Sequence, residues 1–371
     1  MFSWLLTEAL AFRAAIAGVV SFALALALGR PLIRTLGRRL RERIVSDSPV
    51  LNRLHQHKEA TPTMGGLFVV ASIAIALALL GNWNHGYLPA VLLLLVGLTA
   101  VGSWDDVTKL RLGRGIRPIR KLAAQTIVAA AAVLMVFEIH HDVPVALQLT
   151  LPGAGAVSLG WWFIPLGVLV VVGSSNAVNL TDGLDGLAGG CLVFAYAAIG
   201  AVAFAVGDVN LASSWGVLQL PAAGEMSVVC GAALGAVLGF LRFNCHPARV
   251  FLGDTGSLPL GGLLGLVAVI ARQELLLVLI AGVFVAEAVS VILQVGYYKL
   301  RKRRIFLCAP LHHHYQFLGW PESKIVMRFW IAAALCAAVG LGSFTGGMAP
   351  PQRVGPALHS FVPLALPVSW H

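Results

Sequence analysis

Three groups of acidic residues stand out in this chain. They are the adjacent pair Asp105-Asp106, the segment Asn179-Leu-Thr-Asp182-Gly-Leu-Asp185-Gly186, and Asp254 within Phe251-Leu-Gly-Asp-Thr-Gly-Ser257. Carboxylates at or near a bilayer are costly, and unless they are solvated helix ends they mark ion, proton or phosphate chemistry. Adjacent acids repel, and a divalent cation, a metal-bound phosphate or a nearby ammonium relieves the repulsion; Lys109 and Lys121 follow in the same loop. In the second segment one carboxamide and two carboxylates fall at three-residue intervals, which stacks them on one face if the segment is helical. Gly183 and Gly186 would admit a ligand close to the backbone or let a helix start irregularly. Asp254 is bracketed by glycines and follows Asn244 by ten residues, although Gly-Asp-x-Gly alone is also ordinary turn chemistry. Magnesium takes few protein carboxylates and fills its octahedron with water and phosphate oxygens. One or two of these acids with a diphosphate therefore suit phosphoryl transfer better than a metal cage.

Two further motifs accompany the acids. His312, His313 and His314 follow Ala309-Pro310-Leu311. Consecutive side chains point in different directions and rarely supply three ligands to one tetrahedral ion, so phosphate or hydroxyl contacts suit this triplet better than zinc. The stretch Lys58-Glu-Ala-Thr61-Pro-Thr63-Met-Gly-Gly66 reads as a helix entry, with Thr61 as N-cap and Pro62 at the first helical position. A helix start with Lys58 beside it is a natural anion site.

The elements that must position these residues are membrane spans. Of 371 residues, 58% are hydrophobic and only 11% charged, far below the charged fraction of about 25% in a soluble domain. The fold class expected is all-α and polytopic, with spans near 10–29, 62–81, 88–104, 120–137, 160–178, 187–206, 226–241, 257–271, 275–297 and 325–345. The seventh and eighth are the weakest of these. Of 26 basic residues, this alternation leaves only Arg13, Arg272 and Arg353 outside when Arg30 to Arg43 is placed inside. Both termini then lie on the outer side, and every motif above lies on the cytoplasmic side. The net charge of +10 is accounted for by this segregation rather than by nucleic acid binding. Five scattered cysteines imply no disulfide framework. Residues 1–345 are expected to form a single transmembrane domain, and 346–371, rich in proline, a disordered extension.

In this order the motifs resemble those of the phospho-N-acetylmuramoyl-pentapeptide transferases, within the wider polyprenyl-phosphate N-acetylhexosamine-1-phosphate transferases. The resemblance runs from about Arg30 to Trp330. Its strongest parts are Thr61 to Gly66, Asp105-Asp106, Ser175 to Gly186, Val250 to Asp254, Arg272 to Leu277, Ala309 to His314, Gly319-Trp-Pro-Glu322 and Arg328-Phe-Trp330. It implies a cytoplasmic cleft in the bacterial inner membrane that holds Mg2+ and a UDP-sugar, with a membrane groove for the polyprenyl phosphate. It also implies Asp254 as main magnesium ligand with Asp105 and Asp106 beside it, Asp105 as the acid that orients or deprotonates the lipid phosphate, and a catalytic His312. Lys58, Thr63, Lys121, Asn179, Asp182, Asp185, Asn244, Gln294, His312 and His313 would line the nucleotide and diphosphate site. The implied partners are UDP-MurNAc-pentapeptide, undecaprenyl phosphate and the bilayer, with a homodimer left open. Departures from the family pattern include Ala60, Arg117-Pro-Ile-Arg120 and Gln316, which stands where an acid is common. A transferase specific for N-acetylglucosamine-1-phosphate would share the acids, though not the stretch from Ala309 to Trp330. A transporter or flippase would instead place polar groups near the midplane.

Overall fold

The computed structural model describes residues 2–39, 61–141, 143–151, 155–215 and 217–346. Lys58, Arg41, Arg43, Arg53 and the stretch 347–371 lie outside the described residues. The long helices are α1 (Phe2–Arg39), α2 (Gly66–Leu80), α3 (Tyr87–Leu112), α4 (Pro118–His141), α5 (Phe163–Thr181) and α6 (Leu187–Gly207). After the short α7 (Val209–Trp215) come α8 (Glu225–Asn244), α9 (Asp254–Ile270), α10 (Glu274–Ile280), α11 (Gly282–Arg301), the short α12 (Leu311–Phe317) and α13 (Glu322–Gly346). A two-stranded antiparallel hairpin, β1 (Gln148–Leu151) and β2 (Gly155–Ser158), joins α4 to α5. Among the described residues eight helices are long and apolar enough to cross a membrane, and the shorter apolar α2 and α9 bring the count to the expected ten. The chain is an all-α polytopic membrane protein.

The eighth expected span proves to be the centre of the molecule. Every residue of α9 is buried, and the helix packs against α2, α3, α5 and α6. Its Gly-, Ser- and Pro-containing sequence looked weak as a lipid-facing helix because α9 faces protein on all sides. Small residues set how closely its neighbours come. A Cβ on Gly66 would lie 2.1 Å from Gly256 N, and one on Gly102 would lie 2.2 Å from the Asp254 carbonyl oxygen. Backbones touch at these points, as is common where membrane helices pack through van der Waals contact. The α1–α8 pair uses the same device at Gly231, Gly235 and Gly239, four residues apart.

Two expectations are corrected here. Residues 61–65 do not open a helix, and Thr61 is not its cap. α2 starts at Gly66, because Gly65 N–H and Gly66 N–H donate to Phe251 and Leu252 carbonyls while Phe251 N–H donates to Pro62 O. The segment is thus tied sideways to the strand-like run before Asp254. The ninth span is not continuous: it breaks at Ala281, which lets α10 pack against α13 while α11 packs against α5.

At the end of the bundle away from the acids, buried and partly buried ion pairs tie elements together. Arg13 grips both oxygens of Glu225 (3.0 and 2.7 Å) and the Leu80 carbonyl, and Asn82 N–H donates to the same carboxylate. Arg272 pairs with Glu274 and donates twice to the Gln148 carbonyl, anchoring the hairpin. Of the three arginines outside the basic segregation, the two among the described residues, Arg13 and Arg272, therefore have structural partners, which burial of charge requires.

Candidate active site

The site forms where α9 begins. Gly253 precedes it at φ +71°, a left-handed conformation natural to glycine, and a Cβ there would stand 2.6 Å from Asp106 Oδ2. The first-turn N–H groups of a helix have no partner within it. Asp106 supplies one from the end of α3: its carboxylate accepts from Asp254 N–H (3.2 Å), Thr255 N–H (3.0 Å) and Thr255 Oγ1–H (2.7 Å). Asp106 is thereby the cap of α9 as well as a member of the acidic group. Asp106→Asn keeps one acceptor oxygen and turns the other into a donor facing donors. It is expected to lower stability by about 1–3 kcal/mol, read as a shift in the thermal unfolding midpoint in detergent.

Asp105, Asp106 and Asp254 each offer an oxygen within 4.8 Å of the others, all three being buried. Two lysines answer this charge. Lys109 Nζ lies 2.9 Å from Asp105, 3.1 Å from Asp254 and 3.7 Å from Asp106, and Lys121 Nζ contacts both Asp254 and Asp105. Asp105 also accepts from Ile116 N–H (2.7 Å), which folds the α3–α4 connection over the group. Asn179 Nδ2 donates to Asp254 Oδ1 and Ser257 Oγ, both at 2.8 Å. The donor set is all oxygen and is assembled around positive charge, so a hard divalent cation fits it.

The segment from Asn179 to Asp185 departs from a helical stripe. α5 ends at Thr181, residues 182–186 turn, and Gly186 (φ +77°) starts α6. The turn persists because its donors are satisfied elsewhere: Asp185 N–H by Glu322 (2.7 Å) and Gly186 N–H by Asn244 Oδ1 (3.0 Å). Asn179 thus faces Asp254, while Asp185 faces the next loop and accepts from Ala248 N–H (3.0 Å) and His246 (3.2 Å). Asp182 sits half-buried between them. Asn244 spans from this turn to the Val250 carbonyl (2.9 Å).

The three histidines bond to different partners, although the His312 and His313 rings pack with centroids 4.2 Å apart. His312 engages Glu287, His313 Nδ1 lies 2.8 Å from Gln316 Oε1, and His314 Nδ1 accepts from Leu307 N–H. Gln294 binds the backbone of Ile305 and Phe306 through both halves of its amide. Thr63 is buried beside Gly253, and its hydroxyl has no partner among the described residues. Thr255, Ser257, Glu287, His246 and Glu322 join the site without having been expected in it, while Lys109 takes the charge-relieving place that its loop position suggested. Thr255 and Ser257 could have been read from their place in the first turn after Asp254. Nothing local points to His246 or Glu322.

The chain is 43% identical to a phospho-N-acetylmuramoyl-pentapeptide-transferase of Desulfosudis oleivorans over 336 residues, covering 90% of this chain and 92% of that protein. It belongs to the phospho-N-acetylmuramoyl-pentapeptide transferase family. Other members it resembles come from Solidesulfovibrio magneticus (45% over 297 residues, covering 78% and 81%) and Thermodesulfovibrio yellowstonii (41% over 336 residues, covering 89% and 92%). The family model for glycosyl transferase family 4 matches residues 88–272, which span Asp105 to Asp254. Family membership makes the chain a membrane transferase.

Proposed function

We propose that the chain transfers phospho-N-acetylmuramoyl-pentapeptide from its UDP-linked donor to undecaprenyl phosphate, releasing UMP and forming lipid I. The observation that carries this reading is the convergence of Asp105, Asp106 and Asp254 with Lys109 and Lys121 at one end of the bundle. A phosphate oxygen of the lipid attacks the phosphorus bonded to the sugar. A new P–O bond forms as the bond to the UMP oxygen breaks, and UMP departs with the electron pair. Such a reaction needs charge neutralisation and in-line placement more than covalent help.

Asp254, with Asp105 and Asp106 beside it, would hold magnesium, which when bound neutralises diphosphate charge. Lys109 and Lys121 offset the negative charge of acids and phosphates together, and Asn179 holds the Asp254 carboxylate in place. Asp105 stands between the two lysines and orients the lipid phosphate. Thr63, Asp182, Asp185, Asn244, Gln294, His312 and His313 line the nucleotide and diphosphate region. The basic segregation supports placing this end of the bundle in the cytoplasm of a bacterial inner membrane.

Purified protein given UDP-MurNAc-pentapeptide, undecaprenyl phosphate and Mg2+ is expected to release UMP, to stop on chelation and to resume when the metal is restored. Turnover only with UDP-N-acetylglucosamine, or turnover indifferent to chelation, would overturn the reading.

A further inference from the structure

Glu287 lies within α11, has no exposed surface, and receives two donors from a single residue. Its Oε1 accepts from the His312 backbone N–H (3.1 Å), and its Oε2 lies 3.2 Å from His312 Nδ1. The Ser290 hydroxyl nearby donates to the Glu287 carbonyl and leaves the carboxylate to His312. An ionised carboxylate only accepts, so this contact puts the ring proton on Nδ1 and leaves Nε2 with a lone pair in the neutral imidazole. The His312 side chain is itself buried, and Nε2 has no partner among the described residues. It points at Gly183: a Cβ there would stand 2.3 Å from Nε2, so only glycine lets the ring edge come this close to the turn. A buried polar atom without a partner is unfavourable unless a ligand satisfies it.

We infer that Glu287 is a positioning residue for the transfer reaction: it locks His312 as the Nδ1–H tautomer, with Nε2 aimed at the 182–186 turn to accept a hydrogen bond from a hydroxyl or imide N–H of the bound nucleotide. The inference rests on the proposed reaction for its substrate and on geometry for the rest. It explains an acid placed within a membrane-spanning helix, where an unpaired carboxylate is costly.

The isosteric Glu287→Gln tests it. The His312 backbone N–H can only donate, so the Gln oxygen must accept from it and the Gln NH2 must face Nδ1. That arrangement drives the ring proton to Nε2, which becomes a donor where an acceptor is needed. The KM for the UDP-linked donor is expected to rise about tenfold or more, with a smaller change in kcat and an unchanged unfolding midpoint. In a His312→Ala background the same substitution is expected to change KM less than about twofold, because two residues that act through one contact are not additive. The backbone cap persists in that background, so a purely structural role would leave the Glu287→Gln penalty at full size and overturn the inference. Nitrogen-15 NMR of labelled histidine provides a readout independent of turnover. His312 in the wild type is expected to carry its proton on Nδ1 and in Glu287→Gln on Nε2; the same tautomer in both would also overturn it. If the wild-type protein released no UMP, the proposed reaction would fail, while the tautomer result would still stand or fall by itself.

Discussion

Replacing Asp254 by Asn is expected to reduce UMP release by about two to three orders of magnitude, comparable to loss of a principal charge-stabilising group from a preorganised site. The carboxylate is the meeting point of Asn179, Lys109 and Lys121. The amide has the same shape, and the backbone N–H that Asp106 accepts is untouched, so the start of α9 survives. What changes is charge and donor sense: two ammonium groups then face an amide that cannot neutralise them, and Asn179 Nδ2 confronts either an oxygen or another NH2. The measurements are initial UMP release at saturating donor and lipid, a magnesium titration, and an unfolding midpoint to show that the variant is folded. A variant retaining a third of wild-type turnover with unchanged magnesium dependence would remove Asp254 from the centre of the reaction.

A methyl group on either Gly66 or Gly102 should be nearly as damaging, by a different route. The added Cβ atoms would lie 2.1 Å and 2.2 Å from backbone atoms of Gly256 and Asp254, where no side-chain rotation can give relief. α9 must then move away from α2 or α3, and Asp254 moves with it relative to Asp106. Overpacking of this kind typically costs about 1–3 kcal/mol, and more where backbone is struck. A displacement of about 1 Å at a reacting centre is worth about a hundredfold in rate. Gly66→Ala and Gly102→Ala are expected to lower both the unfolding midpoint and turnover. Gly173→Ala, on α5 with nothing within 4 Å of the added atom, serves as control and should be neutral or slightly stabilising. Wild-type turnover in Gly102→Ala would mean that the α3–α9 contact does not set the geometry of the acids.

The ten apolar helices and the gathering of chemistry at one end were legible because they depend on quantities local to the chain. Run length, charge segregation and the parity of crossings determine that the end of α3, the turn after α5 and the start of α9 share one face. Glu287 falls inside the expected span 275–297, but nothing along the chain reveals His312 as its partner. The helical stripe proposed for Asn179 to Asp185 fails because spacing presupposes that the helix continues, whereas Glu322 and Asn244, distant in sequence, satisfy the turn's donors. Thr61 looked like a cap because the competing partner of that segment, residues 250–252, is nearly two hundred positions away.

The sequence alone determined which residue types collect at the acidic end: three carboxylates, two nearby lysines, a carboxamide and a histidine triplet on an all-α membrane scaffold. Only the tertiary structure decided their division of labour. It made Asp106 the cap of α9, placed Lys109 among all three acids, spent Gln294 on loop backbone and turned His312 toward Gly183 under the hold of Glu287. Spacing along one helix sets direction and height. Distances between groups on different helices depend on how closely backbones approach, and here Gly66, Gly102 and Gly256 at the surface of α9 determine that approach.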